Sequence, residues 1–148
     1  MKKLLFLALF ATLAFAVKAK TPVQVFNNNP CGAPMTITFY ASQHGPCNVV
    51  AVSTTFTIPP LGNITVDMDD PTIWPMPLPS YLCFGARVCI DCTPFGGGLH
   101  CSGLFGEPCC YPASASISGI SCCPLGTIIT CQWTVGGSGG VAHTVNVF

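Results

Sequence analysis

The chain has 148 residues, of which only 7% are charged: five Lys or Arg and five Asp or Glu, with three His besides. A typical domain is about a quarter charged. The composition therefore excludes a basic patch for nucleic acid and a cationic face for an anionic membrane. A surface with so few charges is built from small polar residues and exposed apolar atoms, and such surfaces tend to associate.

The first 19 residues read as a secretory signal peptide. Lys2 and Lys3 precede an apolar stretch from Leu4 to Ala16, and small residues follow, with Val17 and Ala19 at the peptidase spacing. The alternative is a membrane anchor, but the stretch is short for a bilayer span. We expect residues 20–148 to form one exported domain, secreted or at the cell surface, with no transmembrane segment after signal removal.

Apolar and polar residues then alternate with a period of two, which predicts half-buried strands. The predicted strands, in chain order, are PVQVF, MTITFYAS, VAVSTTFTI, ITVDM, LCFGARVCI, SASISG, TIITCQWTV and VAHTVNVF. In the third of these, Val50, Val52, Phe56 and Ile58 are predicted to share one face. Both ends of the exported chain are strands, and we expect such terminal strands to add to the sheets of neighbouring subunits.

Turn residues separate the strands. NNNPCGAP follows the first strand, PPLGN divides the third from the fourth, and GGSGG at 136–140 joins the last two as a hairpin loop. The sequence therefore predicts an all-β fold, a disulfide-rich antiparallel β-sandwich or jelly roll of about eight strands.

The exported part carries eleven cysteines, and export makes disulfides the default interpretation. Because the number is odd, one cysteine is unpaired or bonded to another chain. They are Cys31, Cys47, Cys83, Cys89, Cys92, Cys101, Cys109, Cys110, Cys122, Cys123 and Cys131. Six of them lie in residues 89–110, which we expect to be an irregular cross-linked loop.

The cysteines of this loop have two other possible interpretations, a redox motif and a zinc site. Cys89 and Cys92 form a C-x-x-C pair, which is a redox motif in other contexts, and with Cys109 and Cys110 they number four, as in a zinc site. The vicinal pair argues against zinc, since adjacent cysteines do not chelate one ion comfortably. No helix follows to activate a thiol, which argues against redox chemistry.

Candidate catalytic and metal residues are few. The weak calcium candidates are Asp67, Asp69 and Asp70. The ordinary interpretation of these three acids is a solvated loop. A third interpretation makes them the catalytic acids of a hydrolase. His44, His100 and His143 lack metal-binding spacing, although His100 adjoins Cys101. We expect no enzyme activity and assign no catalytic residue and no cofactor.

Part of the loop resembles the thaumatin-like family. The shared residues are Phe26, Asn27 and Cys31 early in the chain, then Asp91, Cys92, Gly97, Gly98, Leu99, Cys101, Gly103, Gly106 and Pro108. The family's cleft glutamate has no counterpart, so only Asp91 carries over as a cleft acid. The resemblance implies a disulfide-rich β-sandwich that binds carbohydrate, such as β-glucan, or acts in defence. More loosely, the chain resembles small exported proteins of bacterial surfaces whose activity is mostly unassigned.

The composition favours a different function. We expect a non-enzymatic structural or interaction protein that self-associates at the cell surface or as an extracellular filament subunit, through poorly charged faces and edge strands. Its partner would be a second copy or another surface protein.

Overall fold

The computed structural model describes residues 22–78, 82–136 and 142–148. The predicted signal peptide lies outside these residues, as does the GGSGG loop apart from Gly136. The described residues form ten strands: β1 (Pro22–Asn27), β2 (Met35–Gln43), β3 (Val49–Ile58), β4 (Asn63–Asp67), β5 (Leu82–Asp91), β6 (Leu99–Cys101), β7 (Phe105–Gly106), β8 (Ser114–Ile117), β9 (Ile129–Thr134) and β10 (His143–Val147). Short 3₁₀ turns span Pro71–Ile73 and Thr93–Phe95.

The strands form two sheets. Sheet I has the order β4-β1-β10-β9-β8, and sheet II has the order β3-β2-β5-β6, with β7 also paired to β5. The predicted all-β, disulfide-rich class is confirmed. Most pairs are antiparallel, but β1 and β10 run parallel, with Val25 opposite Val145.

That parallel pair corrects our expectation for the chain ends. Strands β1 and β10 are interior strands with neighbours on both sides, so neither offers a free edge for strand addition. The edge strands are β4 and β8 in sheet I and β3 and β6 in sheet II.

The core lies between the sheets and follows the predicted alternation. Met35, Ile37 and Phe39 of β2 are fully buried, as are Val145 and Val147 of β10. Phe39 makes edge-on ring contacts with Phe56 of β3 and with Trp133 of β9, at centroid distances of 6.0 and 6.5 Å. Its ring therefore contacts both sheets, because β2 and β3 belong to sheet II and β9 to sheet I.

Five disulfides bind the loops to this sandwich: Cys31–Cys123, Cys47–Cys110, Cys83–Cys109, Cys89–Cys101 and Cys92–Cys122. Each vicinal pair divides its two bonds between separate segments. Cys109 and Cys110 bond to β5 and to the β2–β3 turn, whereas Cys122 and Cys123 bond to Cys92 after β5 and to the β1–β2 turn. Each bridge stabilises a fold by about 2–4 kcal/mol in general.

The loop at residues 89–110 is more regular than expected. Two short strands, β6 and β7, lie within it and pair with β5. Cys89 stands opposite Cys101 in the β5–β6 register, and these two residues are bonded to each other. The disulfide therefore joins two adjacent strands instead of closing an irregular loop.

Candidate functional site: the open edge between β3 and β4

The longest edge strand is β3, with ten residues and no charge and no proline in its sequence. Natural proteins commonly protect edge strands with charged residues, proline or bulges. Strand β3 has a bulge, yet Val49 and Val52 expose 45% and 39% of their surface. It therefore presents unpaired backbone groups together with apolar side chains.

The bulge also corrects the predicted faces of β3. The register with β2 shifts between Thr38, which faces Thr55, and Tyr40, which faces Val52. One extra β3 residue is accommodated there, so the inward positions change phase. Ala51 and Ser53 are buried and Val52 is exposed, whereas Val50 is partly buried against the core and Ile58 is buried as predicted.

A cavity of about 320 Å³ opens between this edge and the edge strand of the other sheet. Its lining comes from Phe56 and Thr57 of β3, Ile64, Thr65, Val66 and Asp67 of β4, and the following Asp70 and Ile73. Strands β3 and β4 are consecutive in the chain and belong to different sheets, so the cavity marks an open side of the sandwich. We call this feature, β3 with the cavity beside it, the open edge.

The three aspartates that were calcium candidates divide between two cavities. Asp67 and Asp70 line the cavity at the open edge, whereas Asp69 lines a smaller one with Trp74. Asp67 accepts a hydrogen bond from the Asp69 amide at 3.1 Å, and Asp70 accepts from the Thr72 amide at 2.8 Å. These bonds cap the turn and the 3₁₀ segment that follow β4. Calcium binding stays a prediction.

Asp91, the acid in the segment that resembles the thaumatin-like family, ends β5 just before the 3₁₀ turn. Its carboxylate accepts hydrogen bonds from the hydroxyl and the amide of Thr93. These bonds, the hydroxyl first, hold the pKa of Asp91 below its usual value. The carboxylate is therefore ionised at neutral pH and oriented by its own turn. A carbohydrate cleft beside it stays a prediction.

The disulfide pairing argues against the zinc-site and redox-motif interpretations of the cysteines. Cys89, Cys92, Cys109 and Cys110 each bond to a different partner outside that set, so they do not form a thiolate site. In the part of the chain that the structure describes, one acid and cysteine cluster has metal-like spacing: Cys83, Glu107 and Cys109. Its two sulfurs are bonded to each other, which removes two of the three ligands.

The odd cysteine is Cys131, in the interior strand β9. It is fully buried, and burial raises the pKa of its thiol to about 12. Its sulfur is therefore a neutral thiol inside the core, and a bond to another chain at this position would require the core to open.

Two histidine contacts were missed by sequence reasoning because their partners are distant in the chain. His143 Nε2 lies 3.8 Å from Glu107 Oε1, and His100 Nε2 lies 3.0 Å from Ser121 Oγ. Cys101, which adjoins His100 in the sequence, is bonded to Cys89. No sequence motif predicts either contact.

No family profile, curated protein or solved structure matches this chain. Among the residues that the structure describes, no helix has the length and apolar character needed to cross a membrane.

Proposed function

We propose that the protein is an exported structural or interaction protein that acts without catalysis and associates with copies of itself through the open edge. The observation that carries this proposal is β3: an uncharged ten-residue strand at a sheet edge, with exposed Val49 and Val52. An edge strand of this kind is a template for main-chain pairing with another chain.

The low charge of the whole surface supports the same function. Apart from the leader, the sequence has two cations, Lys20 and Arg87, and five acids. Long-range repulsion between copies is therefore weak, and adding copies does not bring large like charges together. The five disulfides keep the sandwich folded outside the cell, where a subunit of a surface layer or filament must persist.

The proposal is tested by a substitution that places a positive charge on the edge strand β3. Thr57→Lys introduces a cation at an exposed β3 position beside the cavity, and lysine on an edge strand opposes pairing. Thr134→Lys is the matched control, because Thr134 is also exposed but lies on β9, which is paired on both sides. Sedimentation and electron microscopy of oxidised wild-type protein should show assemblies that Thr57→Lys weakens at least tenfold and Thr134→Lys preserves.

Two results would reject the proposal. The first is a wild-type protein that stays monomeric at every concentration under oxidising conditions. The second is association of Thr57→Lys that is indistinguishable from that of the wild type. Far-ultraviolet circular dichroism checks that both variants keep the β fold.

A further inference from the structure

The backbone amide and the hydroxyl of Ser121 both lie within hydrogen-bond distance of the same ring nitrogen of His100. The Ser121 backbone amide donates to His100 Nε2 at 3.2 Å, and the Ser121 hydroxyl lies 3.0 Å from the same nitrogen. Since a backbone amide can only donate, Nε2 must present its lone pair, and the neutral ring carries its proton on Nδ1. In this tautomer the amide and the hydroxyl share the one lone pair of Nε2, and that lone pair is the one that takes a proton from a serine hydroxyl.

Disulfides fix the backbone on both sides of this pair. Ser121 directly precedes Cys122 and Cys123, which bond to two different segments. His100 lies on β6 beside Cys101, whose bond to Cys89 joins β6 to β5. A reacting pair must be held to within a fraction of an ångström, and cross-links on either side provide that rigidity.

The surroundings leave room for the hydroxyl and for a small ligand. A Cβ at Gly97 would lie 2.1 Å from Ser121 Oγ, so the hydroxyl occupies space that only glycine leaves open. Ser121 also lines a cavity of about 250 Å³ with uncharged neighbours that include Ile120, Pro124 and Leu125. An uncharged acyl group fits this lining better than a charged one.

From this geometry we infer that Ser121 is an acyl-acceptor site, activated by His100, which forms an ester with a small uncharged acyl group taken from an activated ester. The Oγ–carbonyl bond forms as the ester's bond to its leaving oxygen breaks. The hydroxyl proton passes to Nε2 and then to the departing alkoxide, so the imidazole is regenerated. The product is one acylated serine per chain. This modification goes beyond the proposed association and does not depend on it.

The experiment uses p-nitrophenyl acetate with the oxidised full chain, followed by peptide mapping by mass spectrometry. We expect one acetyl group on Ser121 and little on Ser118, an exposed serine in the same loop that serves as an internal control. His100→Gln keeps a side-chain oxygen that can accept the Ser121 amide but removes the base. It should slow acetylation of Ser121 at least tenfold, and imidazole added to His100→Ala should restore part of the rate.

Two outcomes would overturn the inference. One is wild-type protein in which Ser121 is acetylated no faster than Ser118. The other is His100→Gln protein that is acetylated at the wild-type rate, which would mean that His100 only holds the loop. Sedimentation of the same samples shows whether association is unchanged, so failure here is distinguishable from failure of the open-edge proposal.

Discussion

Replacing Asn27 with alanine should destabilise the fold far more than replacing its neighbour Asn28. Asn27 is fully buried at the end of β1, and its side-chain amide donates to the carbonyls of Ala33, Ile58 and Pro59 at 3.0–3.2 Å. It therefore joins the end of β1 to the start of β2 and the end of β3. Asn28 is exposed and serves as the matched control.

The expected loss of stability follows from the hydrogen bonds that the three carbonyls lose. The Ala33 carbonyl keeps a second donor, the Asn29 side chain at 2.8 Å, and the Pro59 carbonyl keeps the Gly62 amide at 3.0 Å. The carbonyl of buried Ile58 loses its side-chain donor. A lost hydrogen bond costs about 0.5–1.5 kcal/mol, and Asn27→Ala removes these three. Asn27→Ala should therefore lower the free energy of unfolding by about 2–4 kcal/mol.

Urea unfolding at pH 7 with the disulfides intact measures this difference. The midpoint should fall for Asn27→Ala with an unchanged slope, and Asn28→Ala should stay within about 0.5 kcal/mol of wild type. Asn27→Asp should be less stable than Asn27→Ala, because a carboxylate would face carbonyl oxygens. Equal effects of Asn27→Ala and Asn28→Ala would refute the reasoning.

Two further predictions concern the core thiol and the β5–β7 contact. The pKa of Cys131 is about 12 in the fold and near 9 when exposed, so the protein should lose stability as pH rises from about 9 towards 12. Cys131→Ala should flatten that alkaline decline in urea titrations, and an equally steep decline in the variant would contradict it. Gly106→Ala should lower the melting temperature, because its Cβ would lie 2.4 Å from the Phe84 carbonyl oxygen, which belongs to the β5 backbone. Gly103→Ala, where a Cβ meets nothing within 4 Å, is the control; equal melting temperatures for the two variants would show that the contact relaxes.

The candidate site was only partly visible in the sequence. The pattern VAVSTTFTI identified β3 as an uncharged strand, yet it assigned Val52 to the core. The bulge that turns Val52 outward depends on the pairing of β3 with β2. The alternation of residues within one strand carries no information about which strand it pairs with. Likewise, Ser121 and His100 are 21 residues apart, and the turns and disulfides between them bring them together.

The sequence by itself determined the class of this protein. Alternation is a local property, so it predicted most of the strands. The sequence also shows that the number of cysteines is odd, so one of them has no disulfide partner within the chain. Only the tertiary structure decided which strands are neighbours, because the pairing of distant segments depends on the packing of the whole core. It placed β1 beside β10 in the interior, left β3 and β4 as edges on an open side, and enclosed Cys131 in the core.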